Sequence, residues 1–260
     1  MSEADLIKFL GTAGARFVVA KQLRYSAGTF IRLNGKHVIL DPGPGTLVRM
    51  AKSKPAIDVI KLDAIILSHA HIDHTGDANV LVDAMTEGGF KRRGVLFAPS
   101  GCLEGEDPVV LRYHRGFLHD IVTLEAERSY SFDGVTFATS VAHDHGTETY
   151  GIIFDRQGKK VSFMVDTRFF PELLASYAGS DVLVMNLVRL RPDESGEVLH
   201  LCVDDARKIL AAIRPRKTVL THFGMTMIRA KPWVIAQQLS DELGVEVTAA
   251  SDGMVVQLAE

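Results

Sequence analysis

Apolar positions in the first fifty residues come in short runs of strand length, separated by turn-forming residues. Leu6–Leu10 is one such run, and it stops at Gly11-Thr12-Ala13-Gly14, a loop of small residues. Gly28–Leu33 and Lys36–Leu40 flank Asn34-Gly35, a dipeptide suited to a type I′ turn, and together they predict a hairpin. The second run ends at Asp41-Pro42-Gly43-Pro44-Gly45, where two prolines and two glycines enforce a turn and leave Asp41 at a strand tip. A helix from Thr46 to about Ser53 is expected next. Ala64–Leu67 is a short apolar strand, Asp77–Met85 a helix with Gly88-Gly89 beyond its end, and Val95–Ala98 a strand stopped by Pro99. Residues 100–120 read as irregular and polar.

The second half repeats the style. Thr136–Ala142 predicts a strand leading into the turn His143-Asp144-His145-Gly146. Ile152–Asp155 and Lys160–Val165 pair around Gln157-Gly158 and close on Asp166-Thr167. Pro171–Tyr177 reads as a helix and Asp181–Leu187 as a strand. Val203–Ile213 is an amphipathic helix with Ile209, Leu210 and Ile213 on one side. Thr218–Leu220 is a strand ending at Thr221-His222, and a helix over Lys231–Leu243 and strands Val245–Ala249 and Met254–Leu258 complete the pattern. No linker or low-complexity stretch interrupts it, so a single domain over residues 1–260 is expected, with strands packed into two sheets and helices outside. Both halves open with strands and deliver polar side chains from loops, a likeness that stops short of a sequence repeat.

Composition narrows the class. The chain has 260 residues, 47% hydrophobic and 23% charged, enough to bury a sizeable core. Its formal net charge of -3 disfavours electrostatic binding of extended nucleic acid, but not of a small anionic substrate drawn to a local metal charge. Two cysteines, Cys102 and Cys202, form no CxxC and suggest no disulfide framework. The acidic start Met1-Ser2-Glu3-Ala4-Asp5 lacks the features of a signal peptide, and no apolar run approaches the ~20 residues that span a bilayer, so no membrane association and a soluble, cytoplasmic protein are expected.

The candidate chemistry centres on His69-Ala70-His71-Ile72-Asp73-His74. Neutral imidazole and carboxylate are ligands that borderline divalent metals such as zinc prefer. His69 and His71, two apart, suit the end of a strand, and Asp73 and His74 suit the turn after it. One loop thus offers two pairs of ligands in two directions, which fits two metal ions better than one. Two ions need further donors. Asp166 ends the apolar strand Val161–Val165 and could bridge both; read alone, it could equally cap a helix. His222 ends Thr218–Leu220 and has a plain alternative as a buried hydrogen-bonding histidine. The His143/His145 turn offers one more donor.

These motifs, in this order along nearly the whole chain, resemble the metallo-β-lactamase-fold hydrolases. The resemblance rests on strand-tip Asp41 in Leu-Asp-Pro-Gly, His69-x-His71-x-Asp73-His74, a His before Gly151, Asp166 and His222. It implies an α+β fold, a four-layer αββα sandwich, with a dinuclear centre at one sheet edge. It implies that His69, His71 and the third-motif His hold one metal and Asp73, His74 and His222 the other. Asp166 would bridge them and Asp41 would hold the site from behind as a hydrogen-bond acceptor. The metals implied are zinc or manganese, with iron as a further option. The third-motif ligand is His145 by its six-residue spacing to Gly151 and its following Gly, with His143 as a neighbour or substrate-facing group; the opposite assignment stays open.

Within the superfamily the chain is most similar to the phosphodiesterase branch, which includes ribonuclease Z and the phosphoribosyl cyclic phosphate phosphodiesterase. Phe9-Leu10-Gly11-Thr12, Thr221-His222-Phe223 and His200-Leu201-Cys202-Val203-Asp204-Asp205-Ala206 carry this likeness. Cys202 stands where the branch usually has Ser or Thr. The resemblance implies that His200 is a catalytic acid, against the plain reading of a surface His leading a helix. Asp73 would orient or accept the proton of a metal-bridging hydroxide. Asp166 stands where many zinc lactamases have Cys, and only 21 positions separate it from His145, too few for the tRNA-binding arm of ribonuclease Z. Lys91-Arg92-Arg93 is a short basic run that reads as solvated surface. The N-terminal Cys cluster of a structural zinc is absent from Lys21–Ser26. A phosphodiesterase acting on a small, cyclic or nucleotide-like phosphodiester is therefore the leading expectation. The alternatives are a thioester or lactone hydrolase, a ribonuclease Z-like nuclease, and a degenerate metal-binding scaffold. A homodimer is compatible with the sequence.

Overall fold

The computed structural model describes residues 4–26, 28–104 and 107–258. The first sheet is built from β1 (Leu6–Phe9), β2 (Thr29–Leu33), β3 (Lys36–Leu40), β4 (Ala64–Ile66), β5 (Val95–Pro99) and β6 (Asp120–Leu124). The second uses β7 (Ser129–Phe132), β8 (Val135–Ala142), β9 (Tyr150–Arg156), β10 (Lys159–Met164), β11 (Ser180–Asn186), β12 (Lys217–Thr221) and β13 (Glu246–Ala249). The last strand, β14 (Val255–Gln257), crosses back and pairs with β1. Each sheet has seven strands, in the orders β14-β1-β2-β3-β4-β5-β6 and β13-β12-β11-β10-β9-β8-β7.

The two sheets share one plan. Pairing is antiparallel from β14 through β3 and parallel from β3 through β6. It is likewise antiparallel from β7 through β10 and parallel from β10 through β13. Parallel neighbours bring their C-terminal ends to the same sheet edge. That edge therefore collects the tips of β3 and β4 from one sheet and of β10, β11 and β12 from the other. The faint likeness of the two halves in sequence has this topological basis.

Alternation along the strands sets the layers. In β4, Ala64 and Ile66 face the core between the sheets, whereas Ile65, and Leu67 just past the strand end, face outward onto the helices Thr46–Ala51 and Ala78–Met85. Both faces of the strand are thus covered, which is why it reads as an unbroken apolar run. On the second sheet, Leu183 and Met185 face the helices Glu172–Ser176, Val203–Ile213 and Pro232–Leu243. The result is the four-layer αββα sandwich. Among the described residues no helix is long and apolar enough to cross a membrane.

Local chemistry explains the turns. Asn34-Gly35 and Gln157-Gly158 adopt positive φ (52°, 75° and 53°, 81°), as type I′ hairpins require. Asp77 does not cap the helix it precedes. Its carboxylate accepts from the backbone N–H of Gly45 (3.1 Å) and Leu47 (2.9 Å), and so caps Thr46–Ala51 instead. Cys202 serves the helix start as a donor: its N–H and thiol both reach Asp205 Oδ2, at 3.2 and 3.1 Å.

Four expectations need correction. The segment 100–120 is not wholly irregular; it contains the helical turns Ser100–Leu103 and Arg112–Arg115. The strands β6 and β7 lie where no strand was read. The helix Ala15–Lys21 directly follows the small-residue loop, where none was expected. Finally, β4 ends at Ile66, so His69 and His71 stand beyond the strand end, and Asp73 and His74 lie in the short helix Ile72–Thr75.

Phe137 locks the inter-sheet core, 1% exposed and packed with Phe97 (ring centroids 5.0 Å), Tyr130 (5.3 Å) and Phe154 (5.6 Å). Replacing it with Ala removes most of this packing and should destabilise the protein by about 3–5 kcal/mol. Urea unfolding followed by circular dichroism measures this; a loss under 1 kcal/mol would show that the sheets repack.

Candidate metal centre

The site grows from the turn after β3. Asp41 has φ 52° and turns its carboxylate back toward the tip of β4. Oδ1 accepts from Ser68 N–H at 2.7 Å, and Oδ2 accepts from Ser68 Oγ at 2.6 Å and from His74 Nδ1 at 2.9 Å. These bonds fix tautomers. His74 Nδ1 is committed to Asp41, so Nε2 is the nitrogen left to face the site. Ser68 spends its hydroxyl proton on Asp41, so at 2.9 Å from His69 Nδ1 its oxygen accepts, and His69 Nε2 is bare as well. His145 Nδ1 donates to the Leu199 carbonyl at 2.9 Å, which bares its Nε2.

The glycines of these turns allow the close approach. A Cβ at Gly43 would overlap the carbonyls of both Asp73 and Ser26, and one at Gly14 would overlap the backbone of His222. The small-residue loop after β1 is thus a seat for His222: Phe223 N–H donates to the Thr12 carbonyl at 2.9 Å and Gly14 N–H to the Phe223 carbonyl at 3.0 Å. His222 itself has φ 58°, just beyond the end of β12.

Two groups of donor atoms result. In the first, His71 Nδ1 lies 3.1 Å from both His69 Nε2 and His145 Nε2. Three ring nitrogens that close share at most one proton, and their facing lone pairs repel. Three ligands at 2.0–2.1 Å in a tetrahedral zinc shell would stand about 3.3 Å apart, which is this spacing. The second group is Asp73, His74 and His222. His74 Nε2 and His222 Nε2 are buried with no hydrogen-bond partner. Asp166 stands between the groups: its Oδ2 is 3.3 Å from His74 Nε2, 3.3 Å from His222 Nε2 and 3.5 Å from His145 Nε2. Orphaned imidazole nitrogens converging on a buried carboxylate fit divalent metal ions in chemistry and in spacing.

Electrostatics follow from burial. Burial lowers His69 well below the usual histidine range, and the neighbouring His74 adds to this. For His74 burial acts the same way, but Asp166 and Asp41 outweigh it and hold the ring well above that range. Burial works against ionisation of Asp166, yet His222, His74 and His200 together hold it well below the usual carboxylate range. The amide of Asn186, at the tip of β11, donates to Asp166 Oδ1 at 2.8 Å and leaves Oδ2 to face the imidazoles. Sequence reasoning missed Asn186. Its signal was its place as the last residue of a strand that pairs in parallel with both β10 and β12.

His200 Nδ1 is buried and unpartnered, 3.8 Å from Asp166 Oδ2, and burial brings the ring down to about 4. His143 stands apart from the donor groups. Its Nδ1 faces the Asp166 carbonyl at 3.2 Å and its Nε2 the Tyr177 hydroxyl at 2.9 Å, so both nitrogens are engaged. Asp166 is no helix cap, because the next helix starts only at Glu172.

Comparison with known proteins agrees with this architecture. A model of the β-lactamase superfamily domain matches residues 36–223. The chain is 30% identical to an uncharacterised protein of Methanocaldococcus jannaschii over 97% of this chain and 94% of that one. It is 26% identical to a metal-dependent hydrolase of Staphylococcus aureus over 88% of this chain and 95% of that one. Among solved structures it is similar to a diphosphatase of the PhnP family, with a TM-score of 0.72 at 20% identity, over 99% of this chain and 98% of that one. The chain belongs to the β-lactamase superfamily. It is a metal-dependent hydrolase of the metallo-β-lactamase fold.

Asp41→Asn keeps the shape of the side chain but cannot accept all three hydrogen bonds. It should weaken metal retention about 10–100-fold while leaving the circular dichroism spectrum intact. Competition with a chromogenic zinc chelator measures this; unchanged retention would remove Asp41 from the support of the site.

Proposed function

We propose that the protein is a phosphodiesterase that uses two divalent metal ions on a small anionic phosphodiester. The observation that carries this reading is the position of Asp166 Oδ2, within 3.5 Å of donor nitrogens from both groups. In this reading His69, His71 and His145 would hold one ion and Asp73, His74 and His222 the other, with Asp166 placed to serve both. His145 is preferred to His143 because its Nε2 is free. Zinc and manganese both suit this donor set, with iron a further option. When bound, the ions supply Lewis-acid polarisation of the phosphoryl oxygens and lower the pKa of water.

The residues of the chain do the rest. Asp73 is half-buried and lines the cleft, where a carboxylate oxygen could accept a proton from the attacking water and orient it. His200 is placed to give a proton to the leaving oxygen. Burial keeps its ring neutral in the resting protein at pH 7, since its pKa is about 4. The anionic phosphoryl group of a bound substrate would raise that value and load the ring with its proton. Support for phosphorus chemistry comes from the likeness to the PhnP-family diphosphatase, and from Asp166, an oxygen donor suited to a bridging position. The hairpin of β9 and β10 fills the stretch between His145 and Asp166, where a tRNA-binding arm would need room, and this favours a small substrate.

Hydrolysis of bis-p-nitrophenyl phosphate should appear on adding Mn²⁺ or Zn²⁺ and disappear with EDTA. Asp73→Ala should lower kcat by about 10²–10⁴, the usual range for loss of a positioned acid–base group. No turnover with either metal, or turnover indifferent to Asp73→Ala, would overturn the proposal.

His200→Ala gives a separate test. Loss of a general acid should cost about 10²-fold or more in kcat on alkyl phosphodiesters, whose leaving groups need a proton, and little on p-nitrophenyl esters. Equal losses on both substrates would reduce His200 to a packing role.

A further inference from the structure

Away from the metal centre, on the outer face of β1, lies a cavity of about 190 Å³ lined by Lys8, Arg49, Lys52, Ser53, Lys54 and Gly253. Ile7 and Phe9 face the core between the sheets, so Lys8 turns the other way, toward the segment that follows helix Thr46–Ala51. It is 7% exposed, and its ammonium donates to the Lys54 carbonyl at 3.1 Å, which uses one of three N–H donors. Arg49 gives its Nε–H to the Leu10 carbonyl at 3.3 Å and lies 3.9 Å over the Tyr25 ring, which holds the guanidinium in place with its Nη groups available. Ser53 Oγ is enclosed and has no hydrogen-bond partner.

No carboxylate lines this cavity, and among the described residues none of the four cationic side chains has an ion-pair partner. Like charges gathered without a counter-charge repel, and a buried ammonium adds a desolvation cost. Burial, followed by the charge of Arg49, accordingly lowers the proton affinity of Lys8. An anion in the cavity relieves all of these penalties at once and gives Ser53 its missing partner.

We propose that this cavity is a second anion site, built for a phosphoryl-type oxyanion. The donors come from three chain segments: Lys8 from β1, Arg49 from the helix, and Lys52, Ser53 and Lys54 from the loop after it. Such a spread suits a tetrahedral oxyanion, which presents acceptors on every side, better than a planar carboxylate. A water needs roughly 30 Å³, so the cavity has room for the oxyanion and attendant waters. The site is separate from the metal centre, yet the two share the end of β1: Leu10 lines the cavity, and Gly11, Thr12 and Ala13 line the metal cleft.

The test is isothermal titration calorimetry of inorganic phosphate, and in parallel a nucleoside 5′-monophosphate, into the metal-stripped protein at low salt. Stripping removes the metals as competing phosphate binders. The expected result is binding to the wild-type protein that weakens about tenfold or more in Arg49→Gln and Lys52→Glu, and is lost in Lys8→Met. Arg49 and Lys52 are not core residues, so their variants keep the test valid should Lys8→Met fail to fold. The metal-loaded variants should hydrolyse the same substrates as the wild type. Equal affinity for the two ligands assigns the cavity to free phosphate; tighter binding of the nucleotide assigns it to the phosphoryl end of a larger molecule; both support the site. No binding to the wild type at millimolar phosphate, equal binding to Lys52→Glu and Arg49→Gln, or competition by acetate as effective as by phosphate would overturn it.

Discussion

Asp166 is 3% exposed, and its Oδ2 is ringed by imidazole nitrogens of His74, His222, His145 and His200 at 3.3 to 3.8 Å. An ionised carboxylate so deeply placed costs several kcal/mol in lost hydration unless positive charge stands beside it. The surrounding rings are held with their lone pairs turned inward, so they offer no such charge while neutral. Either protons or metal ions must supply it. Protons do so in part, since His74 is held well above its usual range by Asp166 and Asp41. The first donor group is where protons serve least: His71 Nδ1 faces both His69 Nε2 and His145 Nε2 at 3.1 Å, and a single proton there cannot be shared well between the two. Metal binding resolves both demands together, and the rest of the fold can be read as the means of holding them in opposition.

The means are topological. Each sheet changes from antiparallel to parallel pairing in its middle, at β3 and β4 in one and at β10 and β11 in the other. Beyond the change, strand ends gather at one edge without needing special sequence. Met164 of β10 pairs with Met185 of β11, and Asn186 with Thr221 of β12, so Asp166, Asn186 and His222 emerge at nearly one level. Backbone bonds then join the two sheets at this edge, as where Tyr150 N–H donates to the Ser68 carbonyl at 3.1 Å. The positive φ of Asp41 and His222 lets each chain reverse at once and turn its side chain inward.

Much of this was legible in the sequence, for a physical reason. Hairpins at Asn34-Gly35 and Gln157-Gly158 are specified by two adjacent residues, and β4 by an apolar run that only burial on both faces permits. The metal-type residues stand out because imidazole and carboxylate are rarely packed together at the end of an apolar strand. What stayed hidden depends on partners distant in sequence. The strands β6 and β7 are only partly buried and mix polar with apolar residues, so their periodicity is weak; Asp133-Gly134, with φ 43° and 84°, was the one local sign of the hairpin that joins β7 to β8. Asp77 stands at the start of its own helix but caps another. Asn186 had no motif at all, because its role exists only once β11 lies between β10 and β12.

The turn after β8 shows how packing separates two candidates of the same residue type. His143 and His145 are both suitable ligands by residue type, and their spacing to Gly151 differs by one strand period. On a continuing strand two residues this far apart would share a face, but β8 ends at Ala142 and the chain bends at His145, so the two rings part. One side is the metal edge, where His145 is held by the Leu199 carbonyl. The other is the layer beneath, where His143 meets the Tyr177 hydroxyl, fully enclosed. Gly151 makes this second pocket: a Cβ there would overlap the Tyr177 hydroxyl, so the tyrosine can reach His143 only past a glycine. Burial then brings His143 down to about 4, a neutral ring that also bonds the Asp166 carbonyl at 3.2 Å. The glycine that marks the motif in sequence therefore acts through His143, as the foundation on which the backbone of Asp166 rests. The neighbouring His145 is left free to face the metal edge.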